Sequence, residues 1–437
     1  MVHRTTIFAP ASAPGRAGVA VIRVSGPAAR AVVIDFYGKL PVPRRATRCH
    51  FGDLDDGLLL WFPAPHSYTG EDVAELQVHG SRAVLRALAD KLIALGCRLA
   101  EPGEFTRRAV LNGKLDLTAA EAVIDLIDAE TEAQRKQAVR QLGGELRALY
   151  DGWRTELTRV QAHLEASIDF ADDDLPADLQ QQILGDMARL QSAMQLHLDD
   201  ARRGERLREG VHAVIIGAPN AGKSSLLNRL AQREVAIVTP MAGTTRDVLE
   251  VTLDVGGYPL TLVDTAGLRE AGDVIEQEGI RRALARAESA DFKLLVFDAS
   301  AGPVPDVETL AHYAPGDLLL INKCDAADPA LLQQALGGTA IVLSVQSGEG
   351  IPVLLDTLTQ RLTDELEHGS TMPLTRERHR AAVKETVDAL ARAQMAPSLD
   401  LCAQDIRTAS RALGRITGHV DTEGLLDVIF RDFCLGK

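Results

Sequence analysis

Hydrophobic positions along the chain change their period from region to region. Between residues 1 and 117 short alternating runs dominate. "GVAVIRVSG" (18–26) and "VAELQVHG" (73–80) read as strands closed by glycine, and "SRAVLRALADKLIALG" (81–96) reads as a helix with a glycine stop. Loops rich in Pro and Gly, such as "FPAPHSYTGED" and "EPGEFTRR", separate them, so an α+β domain is expected. From about 118 the period lengthens. Val139, Leu142, Leu146, Leu149, Trp153, Leu157, Val160, Leu164 and Ile168 recur every three or four residues, a sustained helical stripe that Gly143-Gly144 can kink. "ADDDLPADL" breaks it, and Ile183, Met187, Leu190, Met194 and Leu198 begin a second stripe.

Residues 211–362 alternate apolar runs ("VHAVIIG", "LEVTLDV", "LTLVDT", "FKLLVFDA", "DLLLINK", "AIVLSV") with helical stretches. That is the pattern of a largely parallel sheet covered on both faces. From 379 the helical period returns at Val383, Val387 and Leu390, then at Cys402, Ile406, Ala409, Leu413 and Ile416. The same texture flanks the α/β block on both sides, so the block reads as an insertion into one discontinuous helical domain. The expected division is 1–117, a helical part at 118–209, the α/β block at 210–364, and a second helical part at 365–437.

Composition narrows the function classes. The 437 residues carry a net charge of −14, so bulk electrostatics oppose nucleic acid and any such contact needs a local basic patch. "ARRGERLR" (201–208) and "RERHR" (376–380) are candidates, or else solvated helix ends. The five cysteines form no C-x-x-C pair and are odd in number, which argues against a zinc site or disulfide framework and for a reducing, cytoplasmic setting. No signal-peptide pattern and no membrane-length apolar run is seen.

The chemistry concentrates in the α/β block. "GAPNAGKS" (217–224) fits the phosphate-loop pattern between an apolar strand and a helix. Backbone amides of Asn220, Ala221 and Gly222 would wrap phosphates, with Lys223 as a point charge, the Ser224 hydroxyl for Mg²⁺, and Ser225 beside it at the helix N-terminus. "DTAG" offers Asp264 toward Mg²⁺ and the Gly267 amide toward the γ-phosphate, with Thr265 and Ala266 between. In "NKCD" the Asp325 carboxylate suits the paired N–H donors of guanine, which adenine lacks, and Asn322 and Lys323 support it. "SVQSGEG", starting at Ser344, stands where a final base loop belongs. Four motifs in this order define a Ras-like P-loop GTPase fold. Leu268 follows "DTAG", so a glutamine that would orient water is missing there. The loop "TPMAGTTRD" (239–247) reads as a switch, with Thr245 as the second Mg²⁺ ligand. Asn220 either gives its amide oxygen to a monovalent cation or pins its loop by hydrogen bonds. Spacing leaves both open.

"PNAGKSSLLN", "AGTTRDVLE", "DTAGLRE", "APGRAGVAVIRVSG" and the terminal "FCLGK" together resemble the bacterial MnmE (TrmE) tRNA-modification GTPase family, within the TrmE-Era-EngA-YihA-Septin-like superfamily, over the whole chain. The resemblance implies a homodimer through an N-terminal domain that binds 5-formyl- or 5,10-methylene-tetrahydrofolate. It implies a flavoprotein partner, MnmG (GidA), holding FAD and using NADH, in a heterotetramer or larger complex. It also implies tRNA as substrate, with an aminomethyl or carboxymethylaminomethyl group added at C5 of the wobble uridine. G-domain dimerisation would require K⁺ held by Asn220, Thr239, Met241 and Thr244, with Thr239 and Thr244 also in the GTP-binding set. Glu276 matches the family's water-positioning glutamate, and Arg23, Glu75, Lys114 and Lys437 match its folate site. The final base loop departs from the family pattern, with Gln346 where Lys or Arg is usual.

Cys434 has three readings. A prenylation box is excluded by the final Lys437. A core cysteine fits the apolar face of Leu425, Ile429 and Phe433. The resemblance makes it a catalytic thiol near folate and the tRNA base, with Lys437 favouring thiolate. Two other functions compete: a ribosomal-RNA assembly switch, against which stands the lack of any RNA-binding motif, and a scaffolding GTPase that only moves its partner.

Overall fold

The computed structural model describes residues 5–169, 179–232, 250–264, 290–367 and 372–418, with Leu426, Ile429 and Gly436. The chain divides into two compact units, Met1–Ile124 with Gln141–Ser192 and Ala382–Lys437, and Asp125–Arg140 with Ala193–Ala381.

In the first unit β1 (Ile7–Pro10), β2 (Ala17–Ser25), β3 (Thr47–His50), β4 (Asp56–Phe62), β5 (Val73–Gly80) and β6 (Arg98–Leu99) form one sheet in the order β3-β4-β5-β2-β1-β6. All pairs are antiparallel except β1–β6. Alternation along the strands sorts the two faces. Phe8, Ile22, Val24, Leu59, Trp61 and Leu76 turn one way and bury against α1 (Ala29–Tyr37) and α2 (Arg82–Ala94) through Val32, Val33, Leu88 and Leu92. The intervening positions put Ala9, Arg23, Glu75 and Leu60 in one cross-strand row on the other face. That face carries a smaller core of Ile7, Ala9, Ala100 and Phe105, the last from α3 (Glu104–Leu111).

The helices run α4 (Leu117–Ile127), α5 (Glu132–Leu142), α6 (Glu145–Asp169), α7 (Leu179–Leu198), α8 (Arg203–Glu209) and α9 (Lys223–Ala231), then α10 (Val307–Leu310), α11 (Ala330–Ala335), α12 (Ile351–Leu366), α13 (Glu377–Gln394) and α14 (Leu399–Thr417). The stripe expected from Val139 to Ile168 as one kinked helix is two helices. Gly144 adopts φ +88°, a left-handed conformation that glycine takes without Cβ strain, and the helical phase is not carried through it. Leu146, Trp153, Leu157, Val160 and Leu164 are buried as the period predicts, while Val139 and Leu142 are exposed and Tyr150 is buried instead. The buried face of α6 packs along α14, whose Cys402, Ile406, Ala409, Leu413 and Ile416 line its inner side.

The second unit holds β7 (Val211–Gly217), β8 (Glu250–Val255), β9 (Tyr258–Asp264), β10 (Phe292–Asp298), β11 (Leu318–Asn322) and β12 (Ile341–Val342) in the order β12-β11-β10-β7-β9-β8. Every pair is parallel except β8–β9. One face is covered by α9 and α12 through Leu226, Leu230, Leu354 and Leu358. On the other, Leu295, Phe297, Leu319 and Ile321 meet Leu332 of α11 and Leu336 just beyond it. Burial on both faces accounts for the continuous apolar runs of the sequence. The carboxyl ends of β7, β9 and β11 lie together at one edge, where open α/β sheets bind ligands. Among the described residues no helix is long and apolar enough to cross a membrane.

Candidate functional site

β7 ends at Gly217, where a Cβ would stand 2.5 Å from the Val296 carbonyl of β10, so only glycine lets the strands meet there. The chain then turns through Asn220 (φ +61°) and Gly222 (φ +99°) into α9. Lys223, the first residue of α9, folds back over this loop and donates from Nζ to the carbonyls of Gly217 and Ala218, at 2.8 Å each. The ammonium is therefore held over the loop that would cradle phosphate. Ser224 Oγ donates to Oδ2 of the buried Asp264 at 2.5 Å. Two of the three groups expected at Mg²⁺ thus meet, from the start of α9 and the end of β9, and both are the hard oxygens that this ion prefers.

Asn322, buried at the end of β11, ties three motifs together. Its Nδ2 donates to the Ala221 carbonyl at 2.8 Å, and its Oδ1 accepts from the Val345 amide at 3.0 Å. Gly222 lies so close that a Cβ there would sit 2.2 Å from Asn322 Nδ2. Lys323, at φ +65°, gives its ammonium to Asp298 Oδ2 at 2.6 Å. Burial acts to raise the Asp298 carboxyl, but the bonds from Lys323, the Ser300 hydroxyl and the Ser300 amide hold it below its usual value. Asp325 is exposed at the cleft rim. Ser344 is fully buried and shapes the last loop by accepting from the Ser347 amide at Oγ, 3.1 Å. Burial first, then the charges of Glu349 and Asp325, push the Cys324 thiol up, so it stays protonated beside the base loop.

Two clefts meet at Asn220, Gly222 and Ser225. One, about 510 Å³, runs past Lys223 and Ser224 toward Asp306, Thr309 and His312. The other, about 610 Å³, runs past Arg229, Asn322, Asp325 and Gln346. The first is the phosphate side and the second the base side. No sequence motif marked Asp306, His312 or Arg229. They come from α9 and from the neighbourhood of α10, and only the fold brings them to the cleft walls.

On the N-terminal sheet Arg23 and Glu75, both matched to the folate site by the resemblance, are each other's partners. Arg23 Nε and Nη2 reach Glu75 Oε1 at 3.1 and 2.9 Å, and the guanidinium lies 5.0 Å from the Tyr68 ring centre and 5.7 Å from that of Phe105. Lys114 lays its stem against Gly70, where a Cβ would stand 3.2 Å from Lys114 Cγ. Gly436, at φ +92°, is buried so tightly on Pro10 that a Cβ would stand 2.0 Å from its carbonyl oxygen. Pro10 follows Ala9, the residue paired in register with Arg23. An ion pair, two aromatic rings and a lysine stem form a setting chemically suited to a planar ring with carboxylates. Thr239, Met241, Thr244, Thr245, Thr265, Ala266, Gly267, Glu276, Cys434 and Lys437 lie outside the described residues, as do Leu425 and Phe433.

A phosphate loop closed by a lysine, a serine–aspartate pair and an asparagine latch, at the carboxyl edge of a mostly parallel sheet, defines a P-loop nucleotide-binding protein of the GTPase class. Two family models match the chain, "GTP-binding protein TrmE N-terminus" over residues 6–114 and "MnmE helical domain" over residues 117–434. The tRNA modification GTPase MnmE of Paramagnetospirillum magneticum is 54% identical over 438 residues, with 99% of each chain covered. Those of Rhodospirillum rubrum (51%, 99% of each chain) and Parvibaculum lavamentivorans (52%, 99% of this chain and 100% of the relative) are similar over the same length. The chain belongs to the MnmE family and is a GTPase.

Proposed function

We propose that the chain hydrolyses GTP to drive modification of the wobble uridine of tRNA at C5, as an aminomethyl or carboxymethylaminomethyl transfer carried out with the flavoprotein MnmG. The observation that supports this best is the convergence of Lys223, the Ser224–Asp264 pair and the Asn322 latch in a chain similar along its whole length to tRNA modification GTPases.

In this reading Lys223 leaves the Gly217 and Ala218 carbonyls for the β- and γ-phosphates, and the loop amides replace solvent around them. Ser224 and Thr245 would hold Mg²⁺, with Asp264 supporting from beside Ser224, and the ion would supply charge neutralisation to the phosphates. Asn220, Thr239, Met241 and Thr244 would hold K⁺, which would supply the positive charge that an arginine finger supplies in other GTPases. Glu276 orients the attacking water. Asp325 takes the guanine N–H donors, and Asn322 keeps the loop beneath the base in place. Arg23, Glu75, Lys114 and Lys437 bind the tetrahydrofolate that supplies the one-carbon unit, beside the Cys434 thiol. The N-terminal domain dimerises, and the helical domain, split around the GTPase domain, carries the tail back to it.

Deleting the gene and restoring it as native or as Cys434→Ser, with nucleoside mass spectrometry of bulk tRNA, tests this. The wobble modification is expected to vanish on deletion and return only with the native gene. If it persists after deletion, the proposed function is wrong.

A further inference from the structure

The chain around the last turn of α4 reads "DLIDAE" (125–130). Carboxylates there oppose the negative end of the helix dipole, where cations are the stabilising partners, and no basic residue stands in that turn. Asp125 is compensated by Arg376, whose Nη2 lies 2.6 Å from its Oδ1. Asp128 is not. Burial pushes its carboxyl up, and Arg376 opposes this through charge alone, without a hydrogen bond. Burial, then the charge of Asp128, push Glu130 up as well. Asp125 and Asp128 line a cavity of about 120 Å³ with Gln134, Gln137 and Arg208. Gln137, only 7% exposed, donates from Nε2 to the Gly204 carbonyl at 3.0 Å. That bond fixes which way the amide points and leaves Oε1 buried, with no donor of the cavity wall within reach.

A buried amide oxygen without a donor is costly and calls for an occupant in the space beside it. A water would satisfy the oxygen but leave the charge uncompensated. Arg376 and Arg208 bring two positive charges, and each is bonded to a carboxylate of its own, Asp125 and Glu209. Asp128 and Glu130 keep the surplus, two negative charges at a helix end. A water takes roughly 30 Å³, so the cavity has room for an ion with a few waters, the partial hydration that Mg²⁺ keeps when one or two carboxylates bind it. We infer that this cavity is a site for a hydrated divalent cation of the Mg²⁺ type, held by the Asp128 carboxylate and Gln137 Oε1 with Asp125 beside them. Its place gives it a use. Gln134 and Gln137 of α5 bond the Arg208 and Gly204 carbonyls of α8, where the chain enters the α/β block, and Arg208 Nε bonds the Thr375 carbonyl, where the chain leaves it. An ion here ties entry and exit to α5.

The test uses the nucleotide-free full-length chain carrying Ser224→Ala, which takes the phosphate loop out of the count. Mn²⁺, which suits the same oxygen ligands as Mg²⁺, is titrated and the free ion read by electron paramagnetic resonance, with Mg²⁺ and K⁺ as competitors. Asp128→Asn and Gln137→Leu are each added to this background. Asp388→Asn, an exposed carboxylate of α13 that does not line the cavity, is the control for lost charge. One site per chain, displaced by Mg²⁺, is expected. Asp128→Asn should weaken it about ten-fold or more, since even outer partners of a metal are worth roughly 10–100-fold, and Asp388→Asn should leave it unchanged. Asp128→Asn is isosteric and exposed, so it keeps the test alive if Gln137→Leu fails to fold. MgCl₂ should also raise the melting temperature above that in NaCl of equal ionic strength, and Asp128→Asn should lose that increment. If the Ser224→Ala chain binds no Mn²⁺, the cavity holds water only and the inference is wrong. Equal weakening by Asp388→Asn means an adventitious ion only, and displacement by K⁺ as readily as by Mg²⁺ overturns the divalent assignment.

Discussion

Replacing Gly222 by alanine strikes the point where the phosphate loop, α9 and β11 are joined. Two costs add. At φ +99° a Cβ is strained by about 1–2 kcal/mol wherever it stands. Here it would also sit 2.2 Å from Asn322 Nδ2, which must move and so give up its 2.8 Å bond to the Ala221 carbonyl. Leaving that buried amide and carbonyl unpaired costs a further ~1–3 kcal/mol. Gly338→Ala separates the two costs. It has φ +78° and nothing within 4 Å of its would-be Cβ, so it carries the backbone strain alone. Both variants should melt earlier in differential scanning fluorimetry, Gly222→Ala by the larger step. Only Gly222→Ala should lose GDP affinity, because only there does the loop that wraps phosphate lose its anchor. If about 2 kcal/mol of the clash falls on the bound state, the loss is roughly 30-fold in Kd by fluorescence titration. A Gly222→Ala protein that binds GDP as tightly as native would refute the idea that the Asn322 latch sets the loop for phosphate.

Asp325→Asn should cut GTP affinity by about 3 kcal/mol, roughly 100-fold, with little change for ATP, because only guanine offers the paired donors; unchanged discrimination in competition binding would remove Asp325 from the base site. Hydrolysis should run faster in KCl than in NaCl at equal ionic strength, and equal phosphate-release rates would take the monovalent cation out of the proposed mechanism. Glu104 sets an acid limit on the N-terminal unit. Burial works to raise its carboxyl, but bonds from Arg98, the Glu101 amide and Arg108 bring it down to about 2 from 4.5. A lowered carboxyl stabilises fully above the higher value, and that contribution, about 3 kcal/mol, is lost as pH falls from 4.5 through about 2. Glu104→Gln should therefore flatten the acid limb of urea-unfolding stability over that window; an unchanged slope would count against it. The variant should also be weaker at pH 7, since Arg108 is fully buried and keeps only Glu71 of its two carboxylate partners.

The convergence of Gly222, Lys223, Ser224, Asp264 and Asn322 was legible because each has a position tied to backbone geometry. A glycine at φ +99°, a lysine at the first turn of a helix and an aspartate at a strand end are chemical requirements that leave a fixed spacing. The sheet was legible for a similar reason, since strands buried on both faces need unbroken apolar runs. What stayed hidden depended on register and on phase. Arg23 and Glu75 lie 52 residues apart, and nothing in either strand announces that they meet across β2 and β5. The Gly143-Gly144 pair was visible, but whether it bends a helix or ends one is decided by Gly144 entering the left-handed region. Nothing in the sequence marked Arg229, since Gly348, which it packs beside, is over a hundred residues away.

The C-terminal tail holds a requirement separate from that of its reactive residues. In "FCLGK" the thiol and the terminal lysine draw the eye, yet Gly436 carries a steric requirement of its own. Its left-handed φ and its approach to the Pro10 carbonyl exclude any side chain, so Gly436 is seated on the end of β1 by backbone contact. Pro10 follows Ala9, which pairs in register with Arg23, and Arg23 pairs with Glu75. Gly436 thus lies one residue along β1 from the charged row of the N-terminal sheet. The requirement for glycine at 436 is therefore steric and separable from any chemistry at Cys434.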